Sequence, residues 1–138
     1  MNKIEKFEDI VAWQKARILT QQIYGCSKVG TFARDFGLRD QVQRASVSTM
    51  ANIAEGFERG GDKEFIQFLS TAKGSCGEVK SHLYVAMDQS YVSEEQFKGL
   101  YQQADEVSRL VAGFMGYLQQ SNVRGYKFKG PNDDDFRP

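Results

Sequence analysis

Seven apolar residues, Phe65, Leu69, Ala72, Cys76, Val79, Leu83 and Ala86, recur at spacings of 4, 3, 4, 3, 4 and 3. This is the heptad-like seam of an α-helix packed along its whole length against other helices, and an alternating strand pattern does not fit it. On another side of the same segment Ser70, Gly74, Gly77 and Ser81 form a smooth stripe. Each interior glycine costs a helix about 1 kcal/mol relative to alanine. The pair Gly74 and Gly77 therefore predicts the close approach of a neighbouring backbone, with a local kink as the other reading.

The remaining segments repeat the theme. Prolines occur only at positions 131 and 138, so nothing interrupts helices before them. A first helix is expected from about Glu8 to Cys26, with Ile10, Trp13, Ala16, Ile23 and Tyr24 among its apolar positions and Phe7 as a staple ahead of it. A connection over 27–37 leads to a second helix from about Leu38 to Phe57, rich in small side chains and stopped by Gly60-Gly61. Asp62 reads as the N-cap of the third helix. Ser93-Glu94-Glu95-Gln96 reads as a capping box for the fourth, whose apolar positions are Phe97, Leu100, Ala104, Val107, Val111, Phe114 and Leu118. That helix ends near 122–125, which divides the chain into a bundle domain over 1–123 and a flexible tail over 124–138. Four helices with short connections predict an all-α, antiparallel up-down-up-down four-helix bundle.

Composition narrows the chemistry. Hydrophobic content of 41% and charged content of 26% suit an ordinary globular domain. No stretch approaches the ~20 apolar residues that span a bilayer. The N-terminus carries charges where a signal peptide needs an apolar core, so the expected location is cytoplasmic, with no membrane partner. Cys26 and Cys76 lie 50 residues apart and are expected to be free, buried thiols. The single histidine, His82, cannot supply the paired ligands of a di-metal carboxylate bundle, and no cysteine stands at zinc-ligand spacing from it. Cys76 and His82 point about 120° apart around one helix, which does not make a nucleophile–base pair. The glycines lack the order of a phosphate-binding loop. No catalytic residue, cofactor or metal site is expected, and the chain reads as a non-enzyme.

Polar candidates are few. Asn52 and Glu55 share a face of the second helix, and Arg59 lies four residues beyond Glu55. They read either as a polar cluster at a subunit junction, or as an exposed Glu55–Arg59 pair beside an Asn52 bonded to a neighbouring helix. Arg44 belongs to the same helix. Basic and acidic side chains number 18 each, so there is no net charge to draw nucleic acid. In the tail, Arg124, Lys127 and Lys129 interleave with Tyr126 and Phe128, as in single-strand binding segments, although Asp133, Asp134 and Asp135 follow.

Between Leu38 and Arg59, the elements Gln41, Arg44-Ala45, Ser48, Asn52-Ile53-Ala54-Glu55-Gly56 and Arg59 resemble the proteins encoded within intervening sequences of 23S ribosomal RNA genes. The resemblance extends through Phe7 and Trp13-Gln14-Lys15-Ala16 to Phe68-Leu69, Ala72, Gly74-Ser75 and Glu78, and spans about 7–120. It implies a bacterial four-helix bundle that assembles as a homopentamer, with Arg44, Asn52, Glu55, Arg59, Gly74 and Gly77 as interface candidates. It also implies RNA or a nucleoprotein as a partner, while Arg124, Lys127 and Lys129, beyond the resemblance, are contact candidates on composition alone. A relative of that family, the accessory protein of diversity-generating retroelements, is strongly basic, whereas this chain is neutral. A protein-binding adaptor with no nucleic-acid role is the alternative that neutrality favours. The resemblance carries no catalytic residue.

Overall fold

The computed structural model describes residues 3–121, and these form four long helices and no strand. They are α1 (Val11–Ser27), α2 (Phe36–Arg59), α3 (Asp62–Asp88) and α4 (Glu94–Ser121). Short 3-10 turns at Phe7–Asp9 and Phe32–Arg34 precede α1 and α2. Each helix packs on its neighbour in sequence, most extensively α2 on α3 and α3 on α4, and α1 closes the ring against α4. One core runs through the ring. All seven seam residues of α3, and all seven apolar positions expected in α4, are buried in it.

The helix ends show which local signals operate. Ser93 and Gln96 make the expected capping box: the Gln96 amide donates to Ser93 Oγ at 3.0 Å and the Ser93 amide to Gln96 Oε1 at 2.8 Å. Gly60 ends α2 with φ 87°, a left-handed conformation that glycine adopts without a Cβ clash. Asp62 is not the cap of α3. Gly61 occupies that position and Asp62 is already the first helical residue. At the start of α2 the cap is Asp35, whose carboxylate accepts from the Leu38 amide at 3.1 Å and from the Tyr91 hydroxyl at 2.9 Å. Tyr91 also stacks on Phe32 with centroids 5.3 Å apart, which ties the loop before α2 to the turn after α3.

The first helix begins later than the apolar spacing predicts. Ile10 is extended, with φ −79° and ψ 119°, and separates the Phe7–Asp9 turn from α1. The Asp9 carboxylate accepts the Glu5 and Lys6 amides, which competes with continuing the helix backwards. Phe7 then meets Trp13 edge to face at 5.1 Å, and Gln14 Nε2 donates to the Glu8 carbonyl at 2.8 Å. The Trp13-Gln14 pair thus clamps the N-terminal turn to α1. Tyr24, expected to face inward, is exposed, and Ala12 and Leu19 complete the buried face with Ile10, Ala16 and Ile23.

Candidate functional site

Along α2, Arg44, Ser48, Asn52, Glu55 and Arg59 follow one another at spacings of 4, 4, 3 and 4, and so share the edge of the helix that borders α3. Ser48 is the crossing point. Its hydroxyl shares a hydrogen bond of 2.9 Å with Ser75 of α3. Asn52 Nδ2 donates back to the Ser48 carbonyl at 2.8 Å and to its Oγ at 3.0 Å. Asn52 therefore bonds its own helix, and its hydrogen-bonded link to α3 runs through the Ser48–Ser75 pair, because the near Ser48 acceptors satisfy the amide first. Glu55 is exposed rather than buried, and pairs with Arg59 at 3.0 Å. Arg59 also lies 3.8 Å from Glu64 and over the Phe68 ring, 5.2 Å from its centroid. Arg44 is exposed at the other end of the edge.

Gly74 and Gly77 are placed on the exposed outer face of α3, away from this edge, together with Ser70 and Ser81. A Cβ built on either glycine meets nothing within 4 Å, so the close approach that the sequence predicts there is not made within the chain. It is made at Gly56 instead, where a Cβ would lie 2.7 Å from Phe68 Cβ and 2.8 Å from Phe65 Cδ1. The reason is rotational. Ser70, Gly74, Gly77 and Ser81 lie opposite the seam that faces the core, whereas Gly56 lies on the buried face of α2.

Burial sets the thiol chemistry. Cys76 is fully buried, donates to the Ala104 carbonyl at 3.0 Å, and has its pKa pushed up to about 11, chiefly by desolvation. Cys26 is only half-buried, contrary to expectation, and burial still raises its pKa above the ordinary thiol value. A raised pKa disfavours the nucleophilic thiolate. Among the described residues no group of three or more His, Cys, Asp and Glu could hold a metal ion, and no helix is long and apolar enough to cross a membrane. On α3 and α4, Lys80 Nζ lies 2.8 Å from Asp105 Oδ1, and that hydrogen bond holds the Asp105 carboxyl below its usual range. Arg124, Lys127 and Lys129, and the tail they belong to, lie outside the described residues.

Sequence reasoning missed one feature. A trough of about 540 Å³ separates α1 from α4. Gln21, Gln22, Gly25 and Cys26 form one wall and Gln96, Gly99, Leu100 and Gln103 the other, with Val29 at the end. Its sequence signal was present as Gln and Gly at spacings of 3 and 4 in both helices, but glutamine carries no pattern of its own.

The family profile of the 23S rRNA-intervening sequence protein matches residues 8–113. The chain belongs to this family. That match covers α1, α2, α3 and most of α4, including the α2/α3 edge and both faces of the trough. No curated protein matches the sequence. A crystal structure of a protein of unknown function from the S23 ribosomal protein family of Bacteroides thetaiotaomicron is similar, with a TM-score of 0.70 and 21% identity over 76% of this chain and 98% of that one. At that identity the likeness concerns the fold. The intervening-sequence family member described here thus shares its helical architecture with a protein whose own function is open.

Proposed function

We propose that this intervening-sequence family protein is a non-enzymatic, cytoplasmic scaffold: an up-down-up-down bundle that assembles with copies of itself, as a pentamer, and associates with RNA or a ribonucleoprotein. The observation that carries the self-assembly reading is the outer face of α3, where Ser70, Gly74, Gly77 and Ser81 are exposed and the two glycines have nothing within 4 Å of a Cβ. Two interior glycines weaken an isolated helix, and a smooth face gives them a use when another helix lies on it. Arg44, Asn52, Glu55 and Arg59 on the α2/α3 edge supply polar groups for a separate part of such an assembly. The alternation of direction is supported by Tyr91 bonding Asp35, which brings the end of α3 to the start of α2. Association with RNA rests on the family description and on the cationic tail residues Arg124, Lys127 and Lys129.

Zero net charge favours a second reading, an adaptor whose partner is a protein. Light scattering tests assembly: a mass of one protomer, 15.6 kDa, at tens of micromolar ends the scaffold reading. Recovery of the full-length protein from its own cell lysate separates the partners. RNA that co-purifies and is released steeply between about 50 and 200 mM salt supports the first reading, because phosphate contacts are replaced by counterions. Salt-insensitive recovery of a polypeptide without RNA supports the second.

A further inference from the structure

Three rings cluster where the end of α3 meets the start of α4. Tyr84 lies 4.7 Å from Phe97 and 5.8 Å from Tyr101, and Phe97 lies 5.5 Å from Tyr101, centroid to centroid. Phe97 is buried, whereas Tyr84 keeps 49% of its surface open to solvent. Core packing accounts for Phe97. It does not account for the open ring, which forgoes the area that a covered aromatic would bury. The charges beside these rings are unequal. Lys80 Nζ stands 5.3 Å from the Tyr101 centroid and 2.8 Å from Asp105 Oδ1. Arg109 reaches the same carboxylate at 3.2 Å. Lys73, seven residues before Lys80 and so on the same side of α3, is exposed and pairs with no carboxylate among the described residues. Three cations thus face one carboxylate at this end of the ring cluster. At the other end Asp88 follows Tyr84 by one turn, and Lys98 pairs with Glu94 at 3.6 Å.

An open ring with cations along one side suits an unpaired nucleic-acid strand, whose bases stack on the ring while its phosphates meet ammonium and guanidinium groups. The lysines set this surface apart from a protein-docking patch, whose buried centre is depleted of charge and of lysine. We propose that Tyr84 and Tyr101 form a stacking platform for single-stranded RNA, with the backbone of the strand running past Lys80 towards Lys73 and Arg109. The Asp105 carboxylate does not repel that backbone, because Lys80 and Arg109 both neutralise it. From Tyr84 to Lys73 the path is about 16 Å along α3. This rests on the RNA reading above and adds to it which surface of the bundle touches the strand.

Fluorescence anisotropy of the full-length protein with a fluorescein-labelled, unstructured RNA of about 12 nucleotides tests the platform. Tyr84→Ala should weaken binding about 5- to 100-fold, and Tyr84→Phe should leave it unchanged, because stacking needs the ring and not the hydroxyl. Lys73→Ala, at an exposed position outside the core, should weaken binding and reduce the slope of log affinity against log salt by about 0.7, the value for one phosphate of a single strand. Helical circular dichroism and the melting temperature verify that each variant is folded. A folded Tyr84→Ala protein that binds like the wild type overturns the platform, and a Lys73→Ala protein that keeps the wild-type slope does so independently. Equal binding of a duplex RNA of the same length also overturns it, since paired bases cover their faces. If Tyr84→Ala lowers the mass read by light scattering to 15.6 kDa, the face is a contact between copies and the platform falls. Binding lost when Arg124, Lys127 and Lys129 become alanine, but kept in Tyr84→Ala, gives the strand to the tail: the platform falls and the RNA reading stands. A wild-type protein that binds neither strand nor duplex overturns both.

Discussion

At Gly56 a hydrogen stands where any other residue would place carbon 2.7 Å from Phe68 Cβ. Phe68 Cβ is fixed to its backbone and the Phe65 ring, 2.8 Å away at Cδ1, is fully buried, so neither can move aside cheaply. Gly56→Ala gains about 1 kcal/mol in helix propensity, against overpacking that typically costs 1–3 kcal/mol. The expected outcome is a net loss of about 1 kcal/mol in urea unfolding, whereas alanine at Gly74 or Gly77, which have open space, should stabilise the protomer. The comparison separates packing glycines from exposed ones. Cys76 gives a second residue-level test. Its thiol is buried and stays protonated, so a maleimide should label Cys26 in the native protein and reach Cys76 only after denaturation. Because the native Cys76 pKa is raised, its contribution to stability is complete below the ordinary thiol value and declines as pH rises from about 9 towards about 11, where the unfolded chain ionises first.

Among the elements, the turn joining α3 to α4 holds a residue in an unfavourable conformation. Ser90 has φ 60°, a left-handed value that costs a non-glycine residue about 1 kcal/mol. Its amide donates to the Met87 carbonyl at 2.9 Å and the Tyr91 amide to Ala86 at 2.8 Å, which closes α3 as glycine closes α2. Ser90→Gly should therefore raise stability by about 0.5–1 kcal/mol in a thermal or urea melt. Between α3 and α4, Lys80 bonds Asp105, and Arg109 approaches the same carboxylate at 3.2 Å. The lowered Asp105 pKa means that this contribution is present above the ordinary carboxylate range and is lost as pH falls through the native value. Asp105→Asn should cost about 0.2–1 kcal/mol at pH 7, the range for solvent-exposed pairs, and the difference from wild type should vanish in strong acid. The Ser93–Gln96 box was legible because both partners lie in one short motif. Asp35 was not, since its cap and its Tyr91 bond depend on a loop that spacing cannot describe.

For the whole molecule, Gly74→Trp on the exposed outer face of α3, where a Cβ meets nothing within 4 Å, should lower the mass read by light scattering toward one protomer of 15.6 kDa while the helical circular dichroism is kept. Four helices, the seams of α3 and α4, and the Gly60 stop were determined by the sequence itself. Those features depend on a 3.6-residue period and on local conformational preference, which neighbouring residues suffice to express. Which polar and glycine positions face a neighbour was decided only by the tertiary structure. Gly56, Gly74 and Gly77 look alike in sequence, yet the rotation of each helix buries the first against Phe65 and Phe68 and leaves the other two open. The α1/α4 trough has the same origin, because its walls come from residues about 75 apart that meet only when α4 closes the ring.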